Sequence, residues 1–448
     1  MIGSGRIGTL RARLAGMHPS VKFLAVSDLD PARAEALAKL SGAHFHTGDN
    51  NAAIDHPDVD AVFVSTPEQE HAEPIKRALA AGKPVLCEKP IGLTLQTADD
   101  ILDMLAKTNG KLNFGYSRRY KECFLRAKEQ MVQGRLGTVI SGLARVYNSR
   151  AQTFQILKRD PHATPVLDVL TYYVDLMCWF LEGNKPVEVV ARGQHGIFKA
   201  AGYNCHDATW AIVTFADGAV LNFGISYSLP ANFPTQGQSD RVELLGTEGT
   251  MLIDDDHKDH LIYTEKGVPH PYVPGHNLNM AFLGSNSACD WALGNFWGSL
   301  GNETRAWIDH LVTGAPISHT TPAQARINLE TTIAIERSVA TGQAVRLPLE
   351  KRLIASQLGM TRETFSRSLA AAAKHGLRID GDMVTLTDPQ ALPWVASPLS
   401  RTVETAQLAR REIASRPFFV AVSNASARAL RTLSCTLASA PLLSVHSD

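Results

Sequence analysis

Over the first 120 residues, short apolar runs alternate with stretches of helical period. KFLAV (22–26), AVFVST (61–66), PVLCE (84–88) and KLNFGY (111–116) read as strands; residues 31–40, starting at Pro31, 70–81 and 98–108 read as helices. Strands that alternate with helices predict a parallel sheet covered on both faces. From about residue 121 the runs lengthen. TVISGLARVYN, PVEVVARGQ, DATWAIVTF and AVLNFGISYS show partial period-two alternation, with a turn at 216–218. These predict a mainly antiparallel sheet with a helix over 165–181 inserted between its strands. Helices near 302–313 and 322–341, ending at AVRLP (344–348), close this region. A third unit starts at Pro348, where KRLIASQLG, RETFSRSLAAAAKHG and GLRIDGDMVTLTD give helix, turn, helix and hairpin. Beyond Leu392 the chain is rich in Ala, Ser, Thr and Arg, contains no lysine and predicts no fold. The expected division is therefore 1–120, 121–347, 348–392 and 393–448.

Composition narrows the partners. The 448 residues carry 44 Lys+Arg and 44 Asp+Glu, so no global field draws the chain to nucleic acid or anionic lipid, and any DNA contact is confined to one module. Six cysteines without a CxxC pair predict a reduced, cytoplasmic protein. No apolar run reaches membrane-spanning length. The most apolar segment, 166–181, contains Asp168 and Asp175 and suits a buried amphipathic helix. The N-terminus resembles neither a signal nor a transit peptide. It opens in a glycine-rich loop, so the strand expected at the sheet centre reads as truncated to Met1 and Ile2.

Gly3-Ser4-Gly5-Arg6-Ile7-Gly8 is a GxGxxG followed by a helix, a strand and Asp28. Glycines allow a tight turn and close approach of N–H groups to a pyrophosphate, and the acidic residue accepts ribose hydroxyls. The expected cofactor is NAD, with NADP as the alternative. The competing reading is a ligand-free turn with Asp28 capping the next helix. Ser65-Thr66-Pro67 with His71, and Glu88-Lys89-Pro90, follow buried strands, where open α/β sheets bind ligands.

Together GSGRIG, AVSD, STPEQEH and EKP make residues 1–348 resemble the Gfo/Idh/MocA oxidoreductases. The resemblance implies an α/β chain: a Rossmann dinucleotide-binding domain plus an α+β open-sheet domain, often paired across that sheet in dimers or tetramers. It places Gly3, Gly5, Arg6, Ile7, Gly8, Asp28, Ser65, Thr66, Pro67, His71, Glu88 and Lys89 at the cofactor. Relatives of the inositol dehydrogenase type carry Asp, His and Asp at spacings of four and three. Here the matching residues are Asp168, Tyr172 and Asp175, and tyrosine at the middle position resembles the glucose–fructose oxidoreductase and dihydrodiol dehydrogenase branch. On an α-helix these spacings share one face. Lys89 is expected to hold the reacting oxygen. Tyr172 is expected to exchange the proton, its phenol pKa lowered by the lysine, while Asp168 orients it. The alternatives are a solvated loop lysine at 89 and a core tyrosine at 172 bonded to Asp168. Arg118, just after the last Rossmann strand, either lines the substrate cleft or makes an interdomain salt bridge. The run from Asp254 to His260 suggests a solvated hairpin tip rather than a metal site.

The C-terminal unit resembles the winged helix-turn-helix of Crp/Fnr-type regulators. That resemblance makes Arg362, Glu363 and Arg367 its base-contacting residues. The sequence thus predicts an NAD(P)-dependent oxidoreductase acting on a sugar, polyol or related hydroxy or keto compound. A DNA-binding regulator with an oxidoreductase-derived sensor, and an inactive fusion product, are the rivals.

Overall fold

The computed structural model describes residues 1–231, 238–254, 260–269, 274–284, 290–292 and 294–349, with the backbone of 377–380 and 383–386. The alternation near the N-terminus forms α1 (Arg6–Gly16), β1 (Ala25–Ser27), α2 (Pro31–Ser41), β2 (Phe45–Thr47), α3 (Asn50–Asp55), β3 (Val62–Val64), α4 (Ala72–Ala80), β4 (Val85–Glu88), α5 (Leu95–Thr108) and β5 (Leu112–Gly115). Strands β3 and β4 are buried at every position, as strands covered on both faces must be. The parallel pairs β2–β1 and β3–β4–β5 are joined by the first residues of the chain. Ile2 bridges both Ser27 and Val64. Four backbone hydrogen bonds hold it there: Ile2 N to Phe63 O, Ser65 N to Ile2 O, Ser27 N to Met1 O and Gly3 N to Ser27 O, all between 2.8 and 2.9 Å. Two residues therefore occupy the central place of the sheet.

A 3₁₀ turn (Ser117–Tyr120) and α6 (Glu122–Val132) lead into the second layer. It contains β6 (Val139–Ser149), α7 (Arg150–Arg159), a π-helical turn (Val166–Leu170), α8 (Thr171–Phe180), β7 (Pro186–Gln194), α9 (Ile197–Ala200), β8 (Ala208–Phe215) and β9 (Val220–Leu229). Then come β10 (Gln238–Gly246), β11 (Gly249–Asp254), β12 (His260–Pro269), β13 (Asn277–Gly284), the hairpin β14 (Asp290–Ala292) and β15 (Asn295–Trp297), α10 (Ser299–Thr313), α11 (Pro322–Thr341) and β16 (Val345–Arg346). The large sheet has the order β13-β12-β11-β10-β6-β9-β8-β7-β16. Only β6 and β9 run parallel among its described pairs. In β8, Thr209, Ala211, Val213 and Phe215 face inward, while Trp210 and Ile212 are exposed on the other face. This is the period-two pattern of a sheet with one open side.

Helices α10 and α11 return to the first layer. Trp307 and Ile308 join a core with Met1, Ala12 and Leu86, and Ala325 and Leu329 join Val85 and Phe114. The helix predicted over 165–181 starts with a π turn, which changes the angular spacing of Asp168 relative to an α-helix. The chain divides after Pro348. In the second unit, β17 (Leu377–Asp380) and β18 (Met383–Leu386) form an antiparallel hairpin where the wing was expected. Arg362, Glu363 and Arg367 lie outside the described residues.

Two glycines of the first turn are packed to the limit. A Cβ on Gly8 would lie 2.0 Å from the Gly3 carbonyl oxygen, and one on Gly3, whose φ is +94°, would lie 2.6 Å from Ser65 O. A Cβ on Gly5 would meet nothing within 4 Å. Gly8→Ala should therefore lower the melting temperature by about 5 °C or more, while Gly5→Ala should leave it nearly unchanged. Calorimetry showing equal shifts would contradict this packing. Ending the chain at Pro348, after β16 has paired with β7, should leave the first unit's unfolding transition where it is in the full chain.

Candidate active site

Helix α1 begins at the glycine turn with Gly5 as its N-cap, and no side chain caps it. Its first-turn N–H groups are thus available to an anion, and Gly5 leaves space above them. Asp28 does not cap the next helix: Asp30 does, accepting from Ala32 N at 3.0 Å. The Asp28 carboxylate instead accepts from Ser4 N at 2.8 Å and Asp30 N at 3.1 Å, with Arg33 at 3.6 Å. It is held against the glycine turn that opens α1. Ser65 Oγ and Thr66 Oγ1 are buried and have no hydrogen-bond partner among the described residues. Open donors, a carboxylate beside the turn and unsatisfied hydroxyls fit a dinucleotide. Arg6 is exposed at the first position of α1, with Ile7 half-buried behind it.

His71 has a different place. It is buried, with Nδ1 2.9 Å from Pro90 O and Nε2 3.1 Å from Thr66 O. Burial pushes its pKa below the usual imidazole value. The ring ties the Ser65-Thr66-Pro67 loop to the Glu88-Lys89-Pro90 loop.

Lys89 is not a solvated lysine. Its side chain is 10% exposed, and Nζ donates to the Asp168 carbonyl at 2.7 Å and to Asp168 Oδ1 at 3.3 Å. Burial disfavours the ammonium, but Asp168 outweighs it and holds the pKa above the ordinary lysine value. For Asp168, burial likewise opposes ionisation, and the Lys89 charge and the Tyr227 hydroxyl reverse this, keeping its pKa below the usual value. Tyr227 Oη donates to Asp168 Oδ2 at 2.6 Å. The phenol bonded to Asp168 is therefore Tyr227, a residue the sequence reading missed. Its one signal was a tyrosine on the inward row Leu221, Phe223, Ile225, Tyr227 of β9, where a buried hydroxyl requires a partner.

The Tyr172 ring lies near two cations. Lys89 Nζ lies 5.1 Å and Arg118 Cζ 5.6 Å from its centroid. The lysine was expected to lower the phenol pKa. Burial outweighs it, and the net shift is upward. Tyr172 is half-buried at the cleft, whereas Tyr173 is fully buried. Asp175 takes no part with Lys89. Its carboxylate receives both Nε and Nη2 of Arg119 at 2.7 Å, with Thr320 and Asn328 beside it. With the π turn in between, Asp168 and Asp175 serve different neighbours. Thus Arg119 makes the buried salt bridge, and Arg118 faces the cleft, its Nη2 3.2 Å from Gln238 Oε1. Glu88 pairs with Arg11 at 2.6 Å. Asp254 ends β11 and His260 begins β12, two paired antiparallel strands, and residues 255–259 of the acidic run lie outside the described ones.

Known proteins carry the same parts. Residues 1–116 match the family model "Oxidoreductase family, NAD-binding Rossmann fold", residues 124–252 the "GFO/IDH/MocA C-terminal domain", and residues 329–393 the "Crp-like helix-turn-helix domain". An inositol 2-dehydrogenase of Rhizobium meliloti is 32% identical over 262 residues, covering 56% of this chain and 73% of that protein. The crystal structure of a putative myo-inositol dehydrogenase from Sinorhizobium meliloti 1021 superposes with a TM-score of 0.62 at 25% identity, over 78% of this chain and 98% of that one. GenD2 from gentamicin A biosynthesis, solved with NAD, gives a TM-score of 0.61 at 26% identity, over 78% and 95%. Sequence, fold and the cofactor turn agree: the chain belongs to the Gfo/Idh/MocA oxidoreductases, as an NAD-binding dehydrogenase of sugars or polyols that also carries a Crp-like helix-turn-helix domain.

Proposed function

We propose that the substrate is a polyol of the inositol kind, bound between Lys89, Asp168, Tyr172 and Arg118. The observation that carries this is the buried Lys89–Asp168 pair, which opens beside the Tyr172 ring at the C-terminal end of β4. The relatives named as inositol dehydrogenases support the substrate class.

The nicotinamide ring supplies the hydride acceptor. Lys89 donates to the reacting oxygen and stabilises negative charge that develops there as the hydride leaves. Asp168, held ionised, keeps the ammonium in place, and Tyr227 fixes the second carboxylate oxygen. Because burial holds the Tyr172 phenol protonated, Tyr172 is placed to donate a proton to the oxygen of a keto substrate during reduction. In the oxidation direction the same group takes the proton back from the substrate hydroxyl, the Lys89 charge favouring the phenolate and Asp168 holding Lys89 in place. Glycines 3, 5 and 8, Ser65, Thr66 and Pro67 hold the pyrophosphate and nicotinamide arms, and Asp28 selects the unphosphorylated ribose. Arg6, Ile7, Glu88 and His71 complete that wall, His71 by tying its loops together.

Exposed Ile140, Trp210, Ile212, Leu245 and Met280 on the large sheet support pairing of two copies across its open side. Among the described residues, no helix is long and apolar enough to cross a membrane. Among the described residues, the thiols of Cys87, Cys178 and Cys205 are in no disulfide, which supports a reducing, cytoplasmic setting. The helix-turn-helix match supports DNA contact through Arg362, Glu363 and Arg367. In a dimer, two such modules suit half-sites about 34 Å apart.

A dehydrogenase screen over inositols, aldoses and sugar acids with NAD and NADP tests this reading. Lys89→Ala should remove most turnover and leave NADH fluorescence binding nearly intact. Tyr172→Phe should slow reduction by roughly 10²–10⁴, and Tyr173→Phe far less. Equal, small effects of the two would reduce Tyr172 to a packing residue. The wild type should prefer NAD, and Asp28→Ser with Leu29→Arg should shift that preference towards NADP. A wild-type preference for NADP contradicts the role of Asp28.

A further inference from the structure

Behind the cleft lies a charged cluster around Arg11, which with Glu303 and Thr304 has no part in the chemistry above. Arg11 on α1 is 1% exposed, and its fork is fully engaged. Nε donates to Glu88 Oε1 at 2.6 Å, Nη2 to Glu303 Oε2 at 2.6 Å and Nη1 to Thr304 Oγ1 at 2.9 Å. Gly115, at the end of β5, makes room. A Cβ there would lie 2.6 Å from Arg11 Nη2 and 3.4 Å from carboxylate oxygens of both Glu88 and Glu303. Three elements with separate duties meet at this guanidinium. Helix α1 starts at the phosphate-binding turn, β4 ends at Glu88 one residue before Lys89, and α10 returns from beyond the large sheet.

We propose that Arg11 is a positioning residue for catalysis: through Glu88 it fixes the strand end carrying Lys89 against the cofactor helix, and Glu303 sets the strength of that hold. The proposal rests on the reading of Lys89 as the group that binds the reacting oxygen. A planar fork with three fixed partners orients rigidly, which a lysine's single ammonium does not.

One guanidinium faces two carboxylates, so the cluster is neutral only when one carboxyl is protonated. Glu303 is the candidate. It is fully buried, and its Oε1 has no hydrogen-bond partner among the described residues. Burial, opposed by Arg11 and reinforced by Glu88 and Asp175, pushes its pKa up to about 7. Around it, Tyr120 of the 3₁₀ turn is shifted upward by burial, and Arg119 neutralises Asp175 of α8. His319, ahead of α11, is pushed by burial down to about 3, so it stays neutral. The folded pKa of Glu303 thus lies above its ordinary value of 4.5. Its contribution to stability is complete below the ordinary value and is lost as pH rises towards about 7.

The test uses the full chain from roughly pH 5.5 to 8.5, recording melting temperature, NADH affinity and kcat per NADH-binding site. In the wild type, melting temperature and kcat should both inflect near pH 7. Glu303→Gln copies the protonated form, so it should flatten both inflections and melt above the wild type at the alkaline end. Arg11→Lys keeps the charge but loses the fork, and should lower kcat by roughly tenfold or more while NADH affinity stays within about threefold. An inflection that persists in Glu303→Gln overturns the role of Glu303. A kcat untouched in Arg11→Lys, or one that falls only in step with NADH affinity, overturns the positioning role. Turnover surviving in Lys89→Ala is a separate failure, since it removes the group being positioned while the pH-dependent melting remains.

Discussion

An ammonium buried at the end of a parallel strand is the constraint on which the site depends. Burial disfavours the charge on Lys89 and Asp168 opposes that effect from the π turn, while Lys89 and Tyr227 in return favour the ionised Asp168. The three residues come from the loop after β4, the π turn and β9, so the pair forms only once the dinucleotide layer and the large sheet have met. Removing either member leaves an uncompensated buried charge, which is why folding and chemistry share this contact.

The aromatic rings turn that contact into a cleft. Tyr172 lies within cation–π distance of both Lys89 and Arg118 and makes a T-shaped contact with Tyr116, and so forms an aromatic wall beside two cations. A hydroxylated ring or chain offers CH groups to such a wall and oxygens to the cations. A tyrosine at this position also changes the proton chemistry relative to an imidazole. Burial raises the pKa of its phenol, and the nearby Lys89 charge opposes that shift.

Much of this was legible in the sequence, for physical reasons. The glycine spacing and the strand-end motifs are local devices, each readable from residues within a few positions of one another, and Asp28 follows the turn after one helix and one strand. The strands of the first layer were readable because burial on both faces leaves continuous apolar runs. What the sequence concealed were partners brought together from afar. Tyr227 reaches Asp168 across 59 positions, and Arg11 reaches Glu303 across 292. The spacing of Asp168, Tyr172 and Asp175 assumes an α-helix throughout, whereas Asp168 lies in a π turn and Asp175 in α8, paired with Arg119. The expected effect of Lys89 on Tyr172 had the right cause and the wrong sign, because the depth of the ring decides between attraction and desolvation.

The central claim is direct hydride transfer from a polyol carbon to the cofactor at a site built around Lys89 and Asp168. Following deuterium tests it across the whole substrate class at once. The full chain is incubated with NAD and carbon-deuterated inositols, and the nicotinamide C4 position of the reduced cofactor is read by NMR. Deuterium at that carbon, on one face only and absent when Lys89 is replaced by alanine, is the predicted result. Protein that binds NADH yet moves no deuterium from any such polyol, while binding a DNA site tightly and in an NADH-dependent way, would contradict it.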